Sequence, residues 1–541
     1  MLLFGPYPRI VLLHWLATPL CLISLVSGLR LQATSRPDNL SRALASLLPQ
    51  GDMYGLHLWA ACGWLLLCCA YLGHRQLSQR GRRRNPPSAT LPAATLKGHH
   101  PFNHWLIHLG RWLVLGLVII GLMLWLGGST FAGGRLLMLH RWLAWGLLVY
   151  VVIHSLAQWA LAGRVRAILL PHLPRRHWLT AVLVTVSLGG MSSLARPAWL
   201  WLTQATLPVP NIAADLIITI DGDASDSAWQ QAPVRQVDTL QSGNDAAVVP
   251  VQIQALRQGE VIYFRFSWPD TSPSLRHLPL VKTAEGWRIQ QHGFSQRDET
   301  EFYEDKLAVL FARHPDAAGA STLQQGPQPL AGKPAHITGR AYHAAPAGEL
   351  VDVWHWKAVR THGFNQLDDS HFGPAYPTVP GDIHYTGGYR SDPLQAGGYA
   401  ENWSWPGDGI VTPKRLPRDP ALLAPFQQAG ADDPNLYWGL SWYETRPYSA
   451  QDDHYPIGTV MPSVLWKTRL EGDRGDVRAV ARWYRGVWTL EAARALAATS
   501  RFDLELQDGI YMWVAVFDHS QTRHSYHLRP LRLQFSGGVR L

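Results

Sequence analysis

The sequence predicts a protein in two unlike parts: a transmembrane bundle of four helices with a fifth span, followed by a β-sandwich. Three observations support this α + β assignment. Long apolar runs are confined to the first 210 of the 541 residues. The mean hydropathy of the whole chain, -0.06, lies between values typical of soluble and of polytopic membrane proteins. After residue 210 the pattern changes to short alternating or β-branched runs separated by Gly, Pro and Asp, which is typical of strands.

Five stretches have the roughly 20 apolar residues that a helix needs to cross a bilayer. They lie at about residues 10–30, 54–73, 104–126, 137–161 and 178–203. The first begins just behind Arg9 and has no small-residue cleavage site, so we expect it to remain as a helix. These stretches divide the chain into a four-helix membrane domain at 1–162, a basic loop with the fifth span and a linker at 163–210, and the sandwich at 211–541. The Pro-Val-Pro piece at 208–210 is the expected linker.

Positive charge marks the expected cytoplasmic side of the membrane domain. The net charge is +9, and much of the excess lies in "RQLSQRGRRR" at 75–84 and "GRVRAILLPHLPRRH" at 163–177. Basic loops beside apolar spans usually face the cytoplasm. These two follow the second and fourth spans, so we expect a cytoplasmic N-terminus and a periplasmic sandwich, in the inner membrane of a bacterium. The basic clusters are explained by the lipid bilayer and need no nucleic-acid partner.

Cysteine usage and short motifs exclude several classes of protein. The four cysteines all lie in apolar segments, so the predicted sandwich has no disulfide framework. The chain lacks the C-x-x-C-H motif of covalent c-type haem. It also lacks the G-x-S-x-G, H-E-x-x-H and P-loop motifs of common hydrolases and nucleotide-binding enzymes.

Four histidines lie inside the predicted spans at matched depths. His14 and His154 fall near the cytoplasmic side, and His57 and His140 near the periplasmic side. The fourteen residues from His140 to His154 rise about 21 Å along a helix and return to within roughly 40° of the same face. One helix therefore offers an imidazole near each membrane surface, as two stacked bis-histidine b haems require. The alternative is that some of these histidines lie at the interface or hydrogen-bond across helices.

Residues 1–162 resemble the bacterial cytochrome b561 and hydrogenase-type cytochrome b family. The resemblance rests on "RIVLLHWLATPLCLISLVSGL", "YGLHLWAACGWLLL" and "LHRWLAWGLLVYVVIH". It implies a four-helix bundle that holds two b haems and exchanges electrons with membrane quinone. Carried over to this sequence, His57 and His140 bind the periplasmic haem iron, and His14 and His154 bind the cytoplasmic one.

The second part of the chain reads as strands around a long irregular middle. Strand-like segments lie at 216–234, 248–270, 305–313, 476–496, 509–518 and 526–535. Many short strands with turn residues between them predict a β-sandwich. The middle, about 314–460, is rich in Gly, Pro, Trp, Tyr and His, and long loops of this kind often cover a site.

This part resembles the haem-binding subunit of ethylbenzene dehydrogenase and related molybdenum oxidoreductases. The resemblance rests on "IDGDASDSAWQQAP", "YFRFSWPDTSPS", "EDKLAVLF", "VDVWHWKAVRT", "GDRGDVRAVARWYRGVWTLEAARAL" and "YMWVAVFDHS", and it spans nearly all of 216–535. It implies a sandwich with one non-covalent b haem whose axial ligands are a methionine before the "VDVWHW" motif and a lysine after the "AVFD" strand.

This sequence departs from that pattern at both ligand positions. His343 stands before "VDVWHW" where a methionine is expected, and His519, His524 and His527 follow "AVFD" in place of a lysine. We therefore expect a bis-histidine haem held by His343 and His527. The alternates are His524 and Met461, and Trp354 and Trp356 are expected to line the haem slot.

Together the two resemblances imply an electron-transfer protein with three haems. It would connect the membrane quinone pool of a respiratory chain to a periplasmic redox protein or molybdenum-enzyme subunit, with no substrate chemistry beyond quinol and quinone turnover. Two alternatives remain open. The sandwich could be a ligand- or carbohydrate-binding module on a membrane cytochrome, since "DGDASDSAWQQAP" also opens sandwiches of that type. The chain could also be a self-contained quinol-linked reductase.

Overall fold

A computed structural model of the chain describes residues 6–35, 48–49, 53–84, 101–125, 134–162, 178–202, 204–240, 248–296, 299–315, 345, 349–374, 386–404, 409–428, 433–522, 524–525, 527 and 529–535. Its helices are α1 (Pro6–Ser35), α2 (Met53–Arg84), α3 (Pro101–Trp125), α4 (Gly134–Ala162), α5 (Trp178–Leu202) and the short α6 (Ala424–Gln428). Helix α1 up to Leu31 and helices α2 to α5 lie in one compact unit, and the chain from Gln204 onward lies in a second.

Helices α1 to α4 are long and apolar enough to cross a membrane. Their apolar stretches are Leu12–Gln32, Gly55–Gly73, His108–Trp125 and Arg135–Ala157. Each has about the length that the hydrocarbon core of a bilayer requires. Most of the residues in these stretches are not buried within the protein, as expected for helices that face lipid. The predicted four-helix membrane domain is confirmed.

The fifth predicted span is a helix, α5, whose described apolar stretch is shorter than the other four. That stretch is Val182–Met191. Helix α5 packs against α1 and α2, because Val184 contacts the apolar cluster around Leu16 and Leu67. The helix is therefore present where the sequence predicts it, and its crossing of the membrane stays a prediction.

The strands of the second unit are short and numerous. In chain order they are β1 (Thr206–Val209), β2 (Arg235–Leu240), β3 (Val248–Gln258), β4 (Val261–Pro269), β5 (Leu280–Thr283), β6 (Gly286–Ile289), β7 (Lys306–Ala312), β8 (Val351–Lys357), β9 (Asp368–Phe372), β10 (Tyr389–Ser391), β11 (Tyr399–Glu401), β12 (Ile410–Val411), β13 (Arg415–Pro417), β14 (Gly439–Ser441), β15 (Thr445–Pro447), β16 (Val460–Met461), β17 (Val464–Trp466), β18 (Arg478–Tyr484), β19 (Val487–Ala495), β20 (Tyr511–Phe517) and β21 (Leu531–Phe535).

Two sheets of these strands form the predicted β-sandwich. A seven-stranded sheet has the order β1-β21-β20-β7-β8-β9-β10, and a five-stranded sheet has the order β18-β19-β4-β3-β2. Both contribute to the main apolar core, where Trp268, Trp354 and Trp488 are almost fully buried. Replacing one such tryptophan by alanine typically costs about 3–5 kcal/mol of stability. This core therefore fixes the positions of the strands that carry the candidate site.

Alternation along the seven-stranded sheet decides which residues point away from that core. On β7, Leu307 and Val309 point into the core, so Ala308 between them points to the opposite side of the sheet. We call that side the outer face. Ala308 is paired with Ala515 on β20 and with His355 on β8, so both neighbours also belong to the outer face.

Two predicted boundaries in this unit are wrong. The expected linker at 208–210 overlaps β1, which pairs in parallel with β21, because Leu207 and Val209 are fully buried in the sandwich core. The stretch 216–220, predicted as a strand, has no strand neighbour. Side chains satisfy its backbone instead: Asp226 accepts a hydrogen bond from the Thr219 amide, and the Gln258 amide group donates to the carbonyl of Leu216.

The middle of the chain forms a second apolar cluster beside the sandwich core. It includes Trp287, Trp403 and Met461, together with short strands in sheets of four, three and two. The sequence predicted irregular loops over 314–460. The described part of that range is more ordered than predicted, because large aromatic side chains give its short strands a core of their own.

Candidate haem sites

His57 on α2 and His140 on α4 face each other. Their ring centroids are 6.2 Å apart, and the ring planes cross at 83°. Two metal–nitrogen bonds of about 2.0 Å, plus the distance from each nitrogen to its ring centre, span roughly 6 Å. The separation of these two imidazoles therefore suits one iron atom between them, and their role as ligands stays a prediction.

His14 on α1 and His154 on α4 form a second pair. They lie close enough to interact electrostatically. Tyr150 lies one turn before His154 and stacks on its ring, with centroids 5.4 Å apart and planes at 23°. Helix α4 thus contributes one histidine to each pair, with about 21 Å of helix between them.

Ser27 on α1 fixes the proton position on His57. Its hydroxyl donates a 2.5 Å hydrogen bond to the carbonyl of Ile23, so its oxygen is left to accept from the imidazole. The distance from Ser27 Oγ to His57 Nδ1 is 3.0 Å. His57 therefore carries its proton on Nδ1 and its lone pair on Nε2, the nitrogen that would bind iron. Such outer partners commonly orient metal-binding histidines.

Two further observations test whether these residues fit haem b. Within the described residues, Nδ1 of His140 and Nδ1 of His154 are buried without a hydrogen-bond partner, which is rare for buried polar atoms. A Cβ added at Gly28 would lie 3.4 Å from Cε1 of His57, and one at Gly121 would lie 3.4 Å from Cε1 of His140. The glycines leave room beside both imidazoles for a flat group. These residues fit haem b.

The outer face of the sandwich carries another histidine site. Ala308 and Ala515 lie beside His355 on this face, and their small side chains leave space above the sheet. The ring of Phe517 lies 5.4 Å from that of His355 and 4.9 Å from that of His524. Nε2 of His355 is buried and has no hydrogen-bond partner in the described part of the chain.

His355 is a candidate site residue that was not predicted from the sequence. It lies between Trp354 and Trp356, and alternation along β8 sends the two tryptophans into the core and the histidine to the outer face. The expectation that these tryptophans line a haem slot is therefore wrong. The period-2 pattern in "WHW" was the signal that separates them.

His524 and His527 differ in which ring nitrogen holds the proton. Nδ1 of His527 accepts a 3.3 Å hydrogen bond from the Val514 amide, so its proton lies on Nε2. Nδ1 of His524 lies 2.8 Å from the carbonyl of Ser525, which can only accept, so the proton lies on Nδ1 and the lone pair on Nε2. The second arrangement is the usual one for a metal-binding histidine.

The remaining predicted ligands are His343 and Met461. His343 lies outside the described residues. Ala345, two residues later, is buried against Val353 and Trp513 on the outer face. Met461 lies in the second apolar cluster with its sulfur 4.0 Å from the Asn402 amide nitrogen, and the described residues do not bring it to the outer face.

A buried ion network lies where β7 begins and β8 ends. Glu304 is fully buried and contacts the guanidinium of Arg360, whose amide also donates to Glu304 at 2.8 Å. Burial alone would raise the pKa of Glu304, but Arg360 and His277 hold it well below its usual range. Nearby, Lys306 donates to the carbonyl of Gln521, and burial lowers its pKa well below its usual value.

Comparisons with known proteins match both parts of the chain. The family model described as ethylbenzene dehydrogenase matches residues 226–529, and the one described as prokaryotic cytochrome b561 matches residues 8–169. None of the curated proteins compared with this chain matches it.

Three solved structures show slight likenesses, each 8% identical and covering 62% of this chain. A carbohydrate binding module of family 9 from Caldicellulosiruptor kristjanssonii is matched with cellotriose (TM-score 0.23, 95% of that chain) and with glucose (TM-score 0.24, 98%). A putative carbohydrate-binding protein from Bacteroides uniformis ATCC 8492 is matched over 100% of its length with a TM-score of 0.25. TM-scores of this size support no conclusion about this chain.

The two family matches agree with the two units of the structure. The cytochrome b561 match covers helices α1 to α4 and all four paired histidines, so this part is an integral membrane electron-transfer cytochrome that binds haem b. The ethylbenzene dehydrogenase match covers most of the sandwich, and a redox role fits this domain. The chain therefore belongs to the ethylbenzene dehydrogenase family and carries, ahead of that domain, a membrane domain of the prokaryotic cytochrome b561 type.

Proposed function

We propose that this protein passes electrons between membrane quinone and a redox partner in the periplasm. The pairing of histidines along α4 supports this most directly. The rings of His140 and His57 lie 6.2 Å apart between centroids, and His154 lies near His14. Two sites at different heights of one spanning helix make a path for electrons across the bilayer.

The residues of the membrane domain bind and orient, and they keep water out. The four paired histidines serve as iron ligands, Ser27 sets the tautomer of His57, and Gly28 and Gly121 leave room for the porphyrin. Bound haem iron supplies one-electron chemistry by changing between its ferrous and ferric states. Quinol oxidation at the membrane domain releases two electrons and two protons, and the protein makes no other bond changes.

The orientation follows from charge. Helix α2 ends in a run of basic residues at Arg84, and the segment 163–177 after α4 is basic as well. Positive loops favour the cytoplasm. The N-terminus is then cytoplasmic, α5 crosses as a fifth span, and the sandwich is periplasmic in a bacterial inner membrane. A reporter that folds only outside the cytoplasm, fused after Leu541, is expected to be active, and activity of only a cytoplasmic reporter would contradict this orientation.

A third b haem belongs on the outer face of the sandwich. We favour His524 over His527 as one ligand, because its Nδ1 proton is held by the carbonyl of Ser525. His343, which lies outside the described residues, stays the second ligand that the sequence predicts. Lys306 offers a positive charge whose burial a haem propionate would offset. Electrons leave or enter here through a periplasmic redox protein or molybdenum-enzyme subunit.

The proposal is tested by adding a reduced quinol analogue to the purified full chain in detergent, without oxygen. The ferrous α-band of b haem is expected to appear. His154→Ala should slow this reduction at least about tenfold, because loss of this ligand removes the haem between His14 and His154 from the electron path. The matched control is His108→Ala, an exposed histidine of α3. Reduction by dithionite but not by quinol would contradict the quinone role.

The haem count separates this function from its alternatives. Three b haems per chain are expected. A count of two, with sugar binding by the sandwich, would instead favour a carbohydrate-binding module on a membrane cytochrome. Turnover of a small substrate by the purified chain with quinol alone would favour a self-contained reductase.

A further inference from the structure

Six aspartates converge in the sandwich, at a place that the haem sites do not use. They come from β8, from β9, from the loop after β10, from a short 3-10 turn near residue 474 and from the loop after β19. They are Asp352, Asp369, Asp392, Asp473, Asp476 and Asp503. Four of the six, all but Asp473 and Asp476, are at most 5% exposed.

Two triads within this cluster have the spacing of a cation site. One oxygen from each of Asp392, Asp473 and Asp503 lies within 4.8 Å of the others, and the same holds for Asp352, Asp369 and Asp503. Calcium binds oxygen ligands at about 2.3–2.6 Å, so two ligands on opposite sides of one ion are roughly 5 Å apart. Each triad therefore matches the size of a calcium coordination shell.

Buried carboxylate oxygens without a hydrogen-bond partner occur in both triads, and those of Asp352 and Asp369 are among them. Among the described residues, Asp392 Oδ2, Asp473 Oδ2 and Asp503 Oδ1 are buried atoms without a hydrogen-bond partner. Asp392 and Asp503 are themselves 3% and 5% exposed. A buried acceptor without a partner costs about 1–3 kcal/mol. Several such atoms within one cluster of carboxylates indicate a bound cation.

The cluster contains more carboxyl groups than basic side chains in contact with them. Arg494 donates to Asp352 at 2.8 Å and lies 3.9 Å from Asp503. His371 contacts the other carboxylate oxygen of Asp392 and is stacked on Phe502, with ring centroids 4.7 Å apart. Two basic groups thus face six acids.

Arg494 distinguishes the two triads. Its guanidinium contacts Asp352 and lies over the ring of Trp354, 5.2 Å away. Arg494 therefore already supplies a positive charge to the triad that contains Asp352. In the other triad, Arg494 contacts only the shared Asp503, at 3.9 Å, and His371 contacts Asp392. Asp473 is only partly buried, which gives an ion a way in from solvent.

We propose that Asp392, Asp473 and Asp503 bind a calcium ion. The ligand atoms are all carboxylate oxygens, which suit a hard cation such as calcium and not zinc or copper. His371 holds Asp392 in place from behind, as outer groups do for metal-binding carboxylates. The ion joins the loop after β10, the turn near residue 474 and the loop after β19, which are far apart in the sequence.

The test uses the full chain in detergent, stripped of divalent ions with a chelator and then titrated with calcium chloride. Calcium bound per chain is measured by elemental analysis after dialysis. One calcium per chain is expected in the wild type, and Asp473→Asn and Asp503→Asn should each weaken binding at least tenfold. The matched control, Glu505→Gln, neutralises an exposed carboxylate two residues from Asp503 and should bind like the wild type.

A second measurement covers the case in which a variant fails to fold. Terbium replaces calcium at oxygen sites and emits when an aromatic side chain nearby is excited, and Trp354 lies at this cluster. Wild-type protein should show terbium emission that calcium displaces, and calcium should raise its thermal midpoint. Absence of bound calcium and of calcium-displaceable terbium emission in folded, haem-loaded protein would overturn the proposal. The carboxyl groups would then be held together by protons shared between them. The haem count is independent of this result.

Discussion

Ser27 and His57 are joined by a 3.0 Å hydrogen bond in which the serine oxygen is the acceptor, because the serine hydroxyl already donates to the carbonyl of Ile23. The serine thereby decides which imidazole nitrogen is free for iron. Neither residue reveals this in the sequence, since a serine inside an apolar span is ordinary.

Replacing Ser27 by alanine should loosen the haem between His57 and His140. The Nδ1 proton of His57 loses its acceptor, and loss of such an outer partner typically weakens metal binding about 10–100-fold. Redox titration of the purified protein should show a shifted midpoint potential for one membrane haem. Ser27→Thr, which keeps the hydroxyl, should restore it. The control is Ser24→Ala, since the buried Ser24 hydroxyl has no hydrogen-bond partner among the described residues. An unchanged potential in Ser27→Ala would contradict this role.

A larger side chain at Gly121 should exclude the same haem. A Cβ there would lie 3.4 Å from Cε1 of His140, in the space that the porphyrin needs. Gly121→Val is expected to lose about one haem per chain in a pyridine haemochrome assay. Gly73→Val makes a similar change in helix propensity where no atom lies within 4 Å of the new Cβ, so it should keep its haem. Equal haem content in the two variants would show that Gly121 has no such role.

A third haem on the outer face should be removable without loss of the two membrane haems. His524→Ala should remove one b haem and leave the spectrum of the membrane haems unchanged, because its ring lies against Phe517 on the sandwich. His292→Ala, at a histidine whose side chain is 70% exposed, is the control. If His524→Ala keeps all haem and His527→Ala loses one, the original pair of His343 and His527 is correct.

Acid should weaken the sandwich through Glu304. Arg360 and His277 hold the pKa of Glu304 below the 4.5 of the unfolded chain, so its ionised form adds stability that is present above about pH 4.5 and lost as the pH falls further. Glu304→Gln should cost about 3–5 kcal/mol at pH 7, because it leaves Arg360 buried without its partner.

The free energy of unfolding, followed by tryptophan fluorescence, checks this. The difference between Glu304→Gln and wild type should narrow from pH 7 to pH 3. Glu301→Gln, at a side chain that is 57% exposed, should match the wild type throughout. A gap of constant size over this pH range would show that the pKa of Glu304 is not lowered by folding.

The membrane half was predictable because a bilayer leaves little freedom. Length and hydropathy give the spans, and the spacing of His140 and His154 follows from the rise of a helix. The sandwich was less accessible. β1 contains Pro208 and is followed by Pro210, which favours a linker, yet burial of Leu207 and Val209 makes it a strand. The aspartate cluster draws on five separate segments, so only the folded chain brings it together.

The pairing of His57 with His140 is tested most directly by counting haem in His140→Ala. The number of b haems per purified full chain, measured as pyridine haemochrome, should fall by one relative to wild type and to His108→Ala. The haem between His14 and His154 should keep its low-spin spectrum. If His140→Ala retains the wild-type haem content, or loses both membrane haems while remaining folded, the assignment of one haem to each pair along α4 is contradicted.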